Sequence, residues 1–281
     1  MDSQSVNVES PLTVVRPSSG WVPLKIADLW TYRELLYFLV WKDIKVRYKQ
    51  TTLGIFWAVI QPVLVTIAFT IFLGKLTNLS PNGLPYPLFV FCGLLPWQLF
   101  SYVLSNASNS LVVNESLISK VYFPRLLIPL SAALSGLIDF AVTFLVLLGM
   151  IVYYDLTLSL TLFAMPLLLI LTLAIAVGVG LWLSALNVEY RDVRYTVPFI
   201  TQLWFFLSPV IFPSNLLSEP GRTWYALNPL VGVIEGFRWV LLGQSEGVVF
   251  FLATSIPVTA IILIGGLYYF RRMERRFADI V

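Results

Sequence analysis

The sequence contains no histidine and one cysteine, Cys92. The first absence removes imidazole acid–base chemistry and the commonest metal ligand. The second removes an internal disulfide and any cysteine cluster for zinc. Charge is scarce as well: 12% of the 281 residues are Asp, Glu, Lys or Arg, where a soluble domain carries about 25%. There is no glycine loop built to cradle a nucleotide phosphate. Gly74-Lys75-Leu76 lacks the hydroxyl residue and the upstream glycine spacing such a loop needs. No internal repeat period and no low-complexity tract stands out. The first long apolar run begins only after Gln50, too far in for a cleavable leader. The chain has no visible means of harvesting chemical energy by itself, so uphill work requires a partner.

What it has in abundance is apolar length. Hydrophobic residues make up 58% and the mean hydropathy is +0.83. Charge-free runs occur at 50–74, 76–114, 156–187, 195–221 and 247–270, and 126–154 contains only Asp139. Each supplies the roughly 20 residues that cross about 30 Å of hydrocarbon. The expectation is an all-α integral membrane protein with six spans, near residues 53–74, 86–112, 126–153, 159–186, 196–213 and 248–270. Residues 1–30 read as a flexible cytosolic N-terminus, 31–50 as an interface helix and 51–276 as one transmembrane domain.

Charge placement sets the orientation. Arg271, Arg272, Arg275 and Arg276 follow directly on the last apolar run. With six spans, fifteen of the eighteen lysines and arginines fall on one side, leaving Lys75, Arg222 and Arg238 on the other. The basic side is the cytosolic one, so both termini are expected there, in a bacterial inner membrane. The apolar stretch 226–243 would spoil this parity as a seventh span. It is short and interrupted by Glu235 and Arg238, and it reads as a pair of re-entrant helices broken near Asn228-Pro229. An interfacial helix lying on the lipid surface is the alternative.

Thr31 to Gln50 reads as a helix that cannot span. Thr31 and Glu34 have capping-box spacing. Tyr37, Trp41, Ile44 and Tyr48 form an aromatic-apolar stripe beside the basic Lys42, Lys45 and Lys49, with Arg47 in the same run. Such a helix lies in the plane of the cytosolic leaflet, as an anchor, as a partner surface, or as both. Asp139 is the one acid inside a span. It reads as structural, held by Ser131, Ser135 and Thr143 or by a neighbouring helix. In the second cytosolic loop, Leu117, Ile118, Val121 and Tyr122 would project apolar groups that need a partner surface. The fourth loop, 187–194, reads as local ion pairing and helix capping.

Four blocks carry a resemblance over about 30–276. They are Trp41-Lys-Asp-Ile-Lys-Val-Arg-Tyr-Lys49 with Leu53-Gly54, Trp57 and Pro62; Leu117-Ile118 with Lys120-Val-Tyr-Phe-Pro-Arg125 and Pro129; Asn187 with Tyr190-Arg-Asp192; and Ser208-Pro-Val-Ile-Phe212 with Asn228-Pro-Leu230 and Glu235-Gly-Phe-Arg238. In this order the chain resembles the permease subunit of type-2 ABC exporters, in the branch that exports O-antigen and teichoic acid. The resemblance implies a dimer of permeases joined to two ATPase subunits. ATP and Mg would sit on those partners, with no cofactor or metal on this chain and no catalytic residue. Glu115, Ser116, Leu117, Ile118, Ser119, Lys120, Val121 and Tyr122 would form the ATPase-coupling helix. The first and fifth spans would line a channel. Trp224, Tyr225, Asn228, Glu235 and Arg238 would belong to an external gate. The cargo would be a lipid-linked glycan.

Aromatic rings suit a sliding sugar chain, because they stack on its C–H faces without fixing one sugar sequence. Phe69, Phe72, Phe205, Phe206 and Phe212 are the candidate channel lining, with Trp97 nearby; lipid-facing or core packing is the other use for each. Two rival readings stay open on sequence: a type-2 exporter of a drug or small lipid, and a membrane-embedded glycosyl- or lipid-modifying enzyme.

Overall fold

A computed structural model of the chain describes residues 26–49, 54–74, 83–157, 159–214, 218–244, 247–274 and 277. The expectations for residues 1–25, Lys75, Arg275 and Arg276 lie outside the described residues. Among those described, the chain is helical throughout and has no strand. In chain order the helices are α1 (Ile26–Thr31), α2 (Arg33–Tyr48), α3 (Phe56–Phe69, ending in a π turn at Thr70–Gly74), α4 (Tyr86–Val113), α5 (Glu115–Lys120) and α6 (Leu127–Tyr153). A 3-10 turn, Leu160–Ala164, leads into α7 (Met165–Glu189); α8 (Val193–Phe206), α9 (Glu219–Ala226), α10 (Pro229–Leu242) and α11 (Val248–Glu274) follow.

Five segments are long and apolar enough to cross a membrane: 56–74, 86–113, 127–153, 160–189 and 248–274. The expected span over 196–213 is helical only as α8, which ends at Phe206. Fourteen residues rise about 21 Å, short of a hydrocarbon core. The chain nevertheless travels on along α4. Phe205 sits against Trp97, with ring centroids 5.3 Å apart. Further on, the Ile211 carbonyl accepts a 2.8 Å hydrogen bond from the Tyr86 hydroxyl at the first turn of α4. At the other end of α4, Asn187 of α7 donates to the Ser108 carbonyl. Residues 193–211 therefore run antiparallel to α4 over most of its length, as helix to Phe206 and as irregular backbone over the last five residues.

α4 is the hub of the bundle: 78% of its most apolar window is buried, against 11% for α3. α6 and α7 pack on α4, α11 packs on α7, and α10 wedges between α11 and α4. Small residues set the tightest crossing. A Cβ on Gly178 of α7 would meet the Leu263 backbone at 3.0 Å, and one on Gly266 of α11 would strike the Gly178 carbonyl. Apolar attraction between helices is weak where lipid tails are equally apolar, so backbone approach of this kind is what holds such a pair.

The two ends of the described chain lie at one end of the bundle. Lys42 of α2 donates to the Asn114 side chain at the α4–α5 junction (2.6 Å). The Arg125 backbone N–H donates to the Glu274 carboxylate at the end of α11 (3.2 Å), and the Arg125 guanidinium donates to the Glu274 carbonyl. At the opposite end, α9 and α10 break at Asn228-Pro229. Pro229 opens α10 and Gly243 closes it in the left-handed conformation (φ 72°).

α2 departs from its sequence reading in two ways. Its N-cap is Tyr32 rather than Thr31, without a side-chain cap hydrogen bond. Leu35, Leu36 and Leu39 turn toward the core, whereas Tyr37 and Trp41 face outward. The aliphatic face wins the protein contact because α2 lies against α6; of the aromatic-apolar stripe, Tyr37 and Trp41 are left on the outer surface while Ile44 and Tyr48 are half-buried.

Candidate functional site

One face each of α3, α4, α6 and α8 borders a partly open cavity of about 690 Å³. Helical spacing selects the residues. α3 contributes Trp57, Gln61, Val65 and Phe69; α6 contributes Gly136, Asp139, Phe140 and Thr143. α4 presents Trp97, Gln98, Tyr102, Ser105 and Asn106, and α8 presents Pro198, Thr201, Gln202, Phe205 and Phe206. The α3, α6 and α8 sets recur at three- and four-residue steps, the signature of a single helix face, whereas α4 lines the cavity over a wider arc that includes Leu94, Leu95, Leu99 and Ser101.

The cavity is graded along its length. Toward the end where α3 finishes, rings connect the walls: Phe69 to Phe205 (6.0 Å), Phe205 to Trp97 (5.3 Å) and Phe205 to Phe206 (5.4 Å). Toward α2 lies a charged corner. Arg47 forms an ion pair with Asp139, to which the Tyr48 hydroxyl also donates. The Arg47 guanidinium stacks 4.3 Å above the Tyr102 ring, whose hydroxyl lies 3.1 Å from that of Ser135. Between these ends are three carboxamides, Gln61, Gln98 and Gln202, each from a different helix. Among the described residues none of the three hydrogen-bonds to protein.

Asp139 is thus held by a neighbouring element, α2, and not by the three hydroxyls near it in sequence. Ser131 donates to Asp43 (3.1 Å), Ser135 faces Tyr102, and Thr143 donates to the Ala58 carbonyl (3.2 Å). Burial holds the Asp43 carboxyl above its ordinary range, against the pull of Lys42 and the Ser131 hydrogen bond.

Of the expected lining, the cavity gathers Phe69, Phe205 and Phe206. Phe72 is 66% exposed on the outside of the π turn, and Phe212 packs on the core beyond the cavity. On α2, Lys45 lies 5.4 Å over the Trp41 ring, Lys49 is exposed, and only Arg47 reaches the cavity. On α5, Ile118 is buried and Leu117 leans on the core, so these two need no outside partner; a six-residue helix lying on the bundle has one inward face. Val121 and Tyr122 are 50% and 88% exposed, and Glu115, Ser116, Ser119 and Lys120 are exposed beside them.

The residues expected at an external mouth are unevenly disposed. Trp224 is 76% exposed and Tyr225 is half-buried. Asn228 caps α10 by accepting from the Leu230 N–H. It also accepts from the Trp204 indole (3.0 Å) and donates to the Leu207 carbonyl (2.9 Å). Glu235 and Arg238 lie inside the protein rather than at a surface. Arg238 is fully buried, donates to Glu235 (3.2 Å) and to the Val210 carbonyl (2.9 Å), and stacks 3.6 Å over the Phe89 ring. This node fastens α10, the irregular 207–211 segment and α4 together. Gly93 makes room for it: a Cβ there would meet the Val210 carbonyl at 2.8 Å.

Comparison with known proteins gives this geometry a context. The family described as ABC-2 type transporter matches residues 34–242. The chain is 32% identical over 252 residues to the O-antigen export system permease protein RfbA of Klebsiella pneumoniae, covering 88% of this chain and 95% of that protein. It is 28% identical over 255 residues to the protein of the same name from Myxococcus xanthus, covering 82% and 90%. It is 29% identical over 240 residues to the polysialic acid transport protein KpsM of Escherichia coli, covering 83% and 91%.

Proposed function

The chain belongs to the ABC-2 type transporter family, and from that premise we propose that it is the permease subunit of an ATP-driven exporter that passes a lipid-linked polysaccharide across the inner membrane. The observation that carries the reading is the cavity itself. Four helix faces bring aromatic rings and uncharged amides together in a protein with 12% charge. Rings stack on the C–H faces of sugars, and amides match their hydroxyls. The relatives named for O-antigen and polysialic acid transport support the same class of cargo.

In this reading the protein crosses the bilayer six times. Five long helices alone would leave the two chain ends on opposite sides. The contacts of α2 with Asn114 and of Arg125 with Glu274 hold them at one end, and the 193–211 segment supplies the missing crossing. That end is the cytosolic one, by the arginines after the last span. α9 and α10 enter and leave at the opposite end as a re-entrant pair over the external mouth, and Trp224 with Tyr225 forms its outer rim. α2 lies in the cytosolic leaflet with Tyr37 and Trp41 toward lipid.

The subunit acts as a conduit, not an enzyme. It pairs with a second copy, and α3 and α8, which bury only two residues each, face the shared passage. The α5 loop, with exposed Val121 and Tyr122, seats on an ATPase subunit that binds ATP and Mg. Deleting the gene should leave the lipid-linked glycan inside the cell and strip it from the surface, and the wild-type gene should restore it. An unchanged surface polysaccharide in the deletion strain would refute the assignment.

A further inference from the structure

We propose that Gln61, Gln98 and Gln202 form a hydroxyl-reading belt, and that the cavity accepts an uncharged stretch of sugar chain in preference to a polyanionic one. The inference rests on the polysaccharide reading above and narrows it to a substrate class.

Gln61 and Gln202 are exposed and Gln98 is half-buried, so their carboxamides are open to an occupant of the cavity, with donors and acceptors to offer it. Here three helices each turn one toward the same space, and none is bonded to protein among the described residues. Each lies on the cavity face of its helix, one or two turns from an aromatic lining residue: Gln61 from Trp57 and Phe69, Gln98 from Tyr102, Gln202 from Phe205 and Phe206. A carboxamide offers two donors and two acceptor lone pairs, and a sugar hydroxyl both donates and accepts. The amide can therefore meet a hydroxyl in either sense, and the next hydroxyl equally well as the chain moves on.

The electrostatics exclude the other kind of chain. Two lining residues carry charge, Arg47 and Asp139, and they are paired with each other. The lining is net neutral. An anionic sugar entering it would lose hydration, meet the Asp139 carboxylate and find, among the lining residues, no cation free of a partner; taking a carboxylate out of water without compensation is unfavourable. An uncharged chain meets none of these terms.

The test uses the full-length protein in nanodiscs and saturation-transfer NMR with two oligosaccharides of equal length, neutral isomaltoheptaose and anionic hepta-galacturonate. The neutral heptamer should show saturation transfer, and the anionic one at least about tenfold less. Each single change, Gln61→Leu, Gln98→Leu or Gln202→Leu, should weaken neutral binding about two- to tenfold. Gln→Asn at the same positions should keep part of it. Equal or stronger binding of the anionic heptamer by the unaltered protein would overturn the proposal whether or not the variants fold. So would neutral binding that is absent or indifferent to all three leucines. Each of these results leaves the export reading intact, because that reading is judged by surface glycan in the deletion strain.

Discussion

Arg238→Ala should be among the most damaging single changes in the protein, although it lies far from the cavity's charged corner. The side chain is fully buried, and its removal strands the Glu235 carboxylate, itself only 6% exposed. Breaking a buried pair by removing one partner costs about 3–5 kcal/mol. The Val210 carbonyl loses a donor and the Phe89 ring loses its cation. At about 2–4 °C per kcal/mol for a chain of this size class, the melting temperature should fall by about 6–20 °C. Cys92 provides the assay. It is the sole cysteine, fully buried one turn from Phe89, so a thiol-reactive fluorophore reports the opening of this region. The double replacement Glu235→Leu with Arg238→Met should recover most of the loss, since an apolar pair of similar volume removes both charges together. Melting of Arg238→Ala within about 2 °C of wild type would refute the reasoning, because an intact fold could not then depend on the pair.

Other expectations follow from the same contacts. Swapping the cavity pair (Arg47→Asp with Asp139→Arg) should restore much of what either single change loses. The pair is partly exposed, so a double-mutant cycle on thermal stability should return a coupling of only about 0.5–1 kcal/mol; zero coupling would dissolve the pair. Tyr122→Ala should leave the melting temperature unchanged, since the side chain is 88% exposed, yet reduce co-purification with the ATPase; a stability loss above about 0.5 kcal/mol would assign the residue to the fold instead. Gly266→Leu should prevent α11 from closing on α7 and should show as loss of the monodisperse peak in size-exclusion chromatography. The raised Asp43 carboxyl contributes stability that is fully present below its unfolded pKa and is lost as pH rises through the folded one. Asp43→Asn should therefore gain relative to wild type between about pH 4 and neutrality; a relative loss over that range would reverse the sign.

Long charge-free runs made five of the helices legible, because their length alone is diagnostic. The expected span over 196–213 was legible as apolar but not as a helix that stops at Phe206: an apolar run does not reveal that Val210 and Ile211 will bond sideways to Arg238 and Tyr86. Asp139 stands out as the one charge inside a span, whereas Gln61, Gln98 and Gln202 do not, their signal being only a carboxamide on the same face as an aromatic. Arg47 was grouped with the basic surface of α2, because nothing local to residues 31–50 shows that one of those cations meets an acid ninety-two positions later. On sequence Glu235 and Arg238 interrupt an apolar stretch that reads as re-entrant helices at an external mouth; that they pair one turn apart inside the protein is visible only in the fold.

The tie between Arg125 and Glu274 has a mechanical consequence. α11 is a 27-residue rod about 40 Å long, and its far end carries Phe251 and Ser255 against Gly232 of α10. A rod clamped at one tip and leaning on a short helix at the other is a lever. Force delivered to the loop just before α6 must either tilt that rod, and with it α10, or tear the clamp.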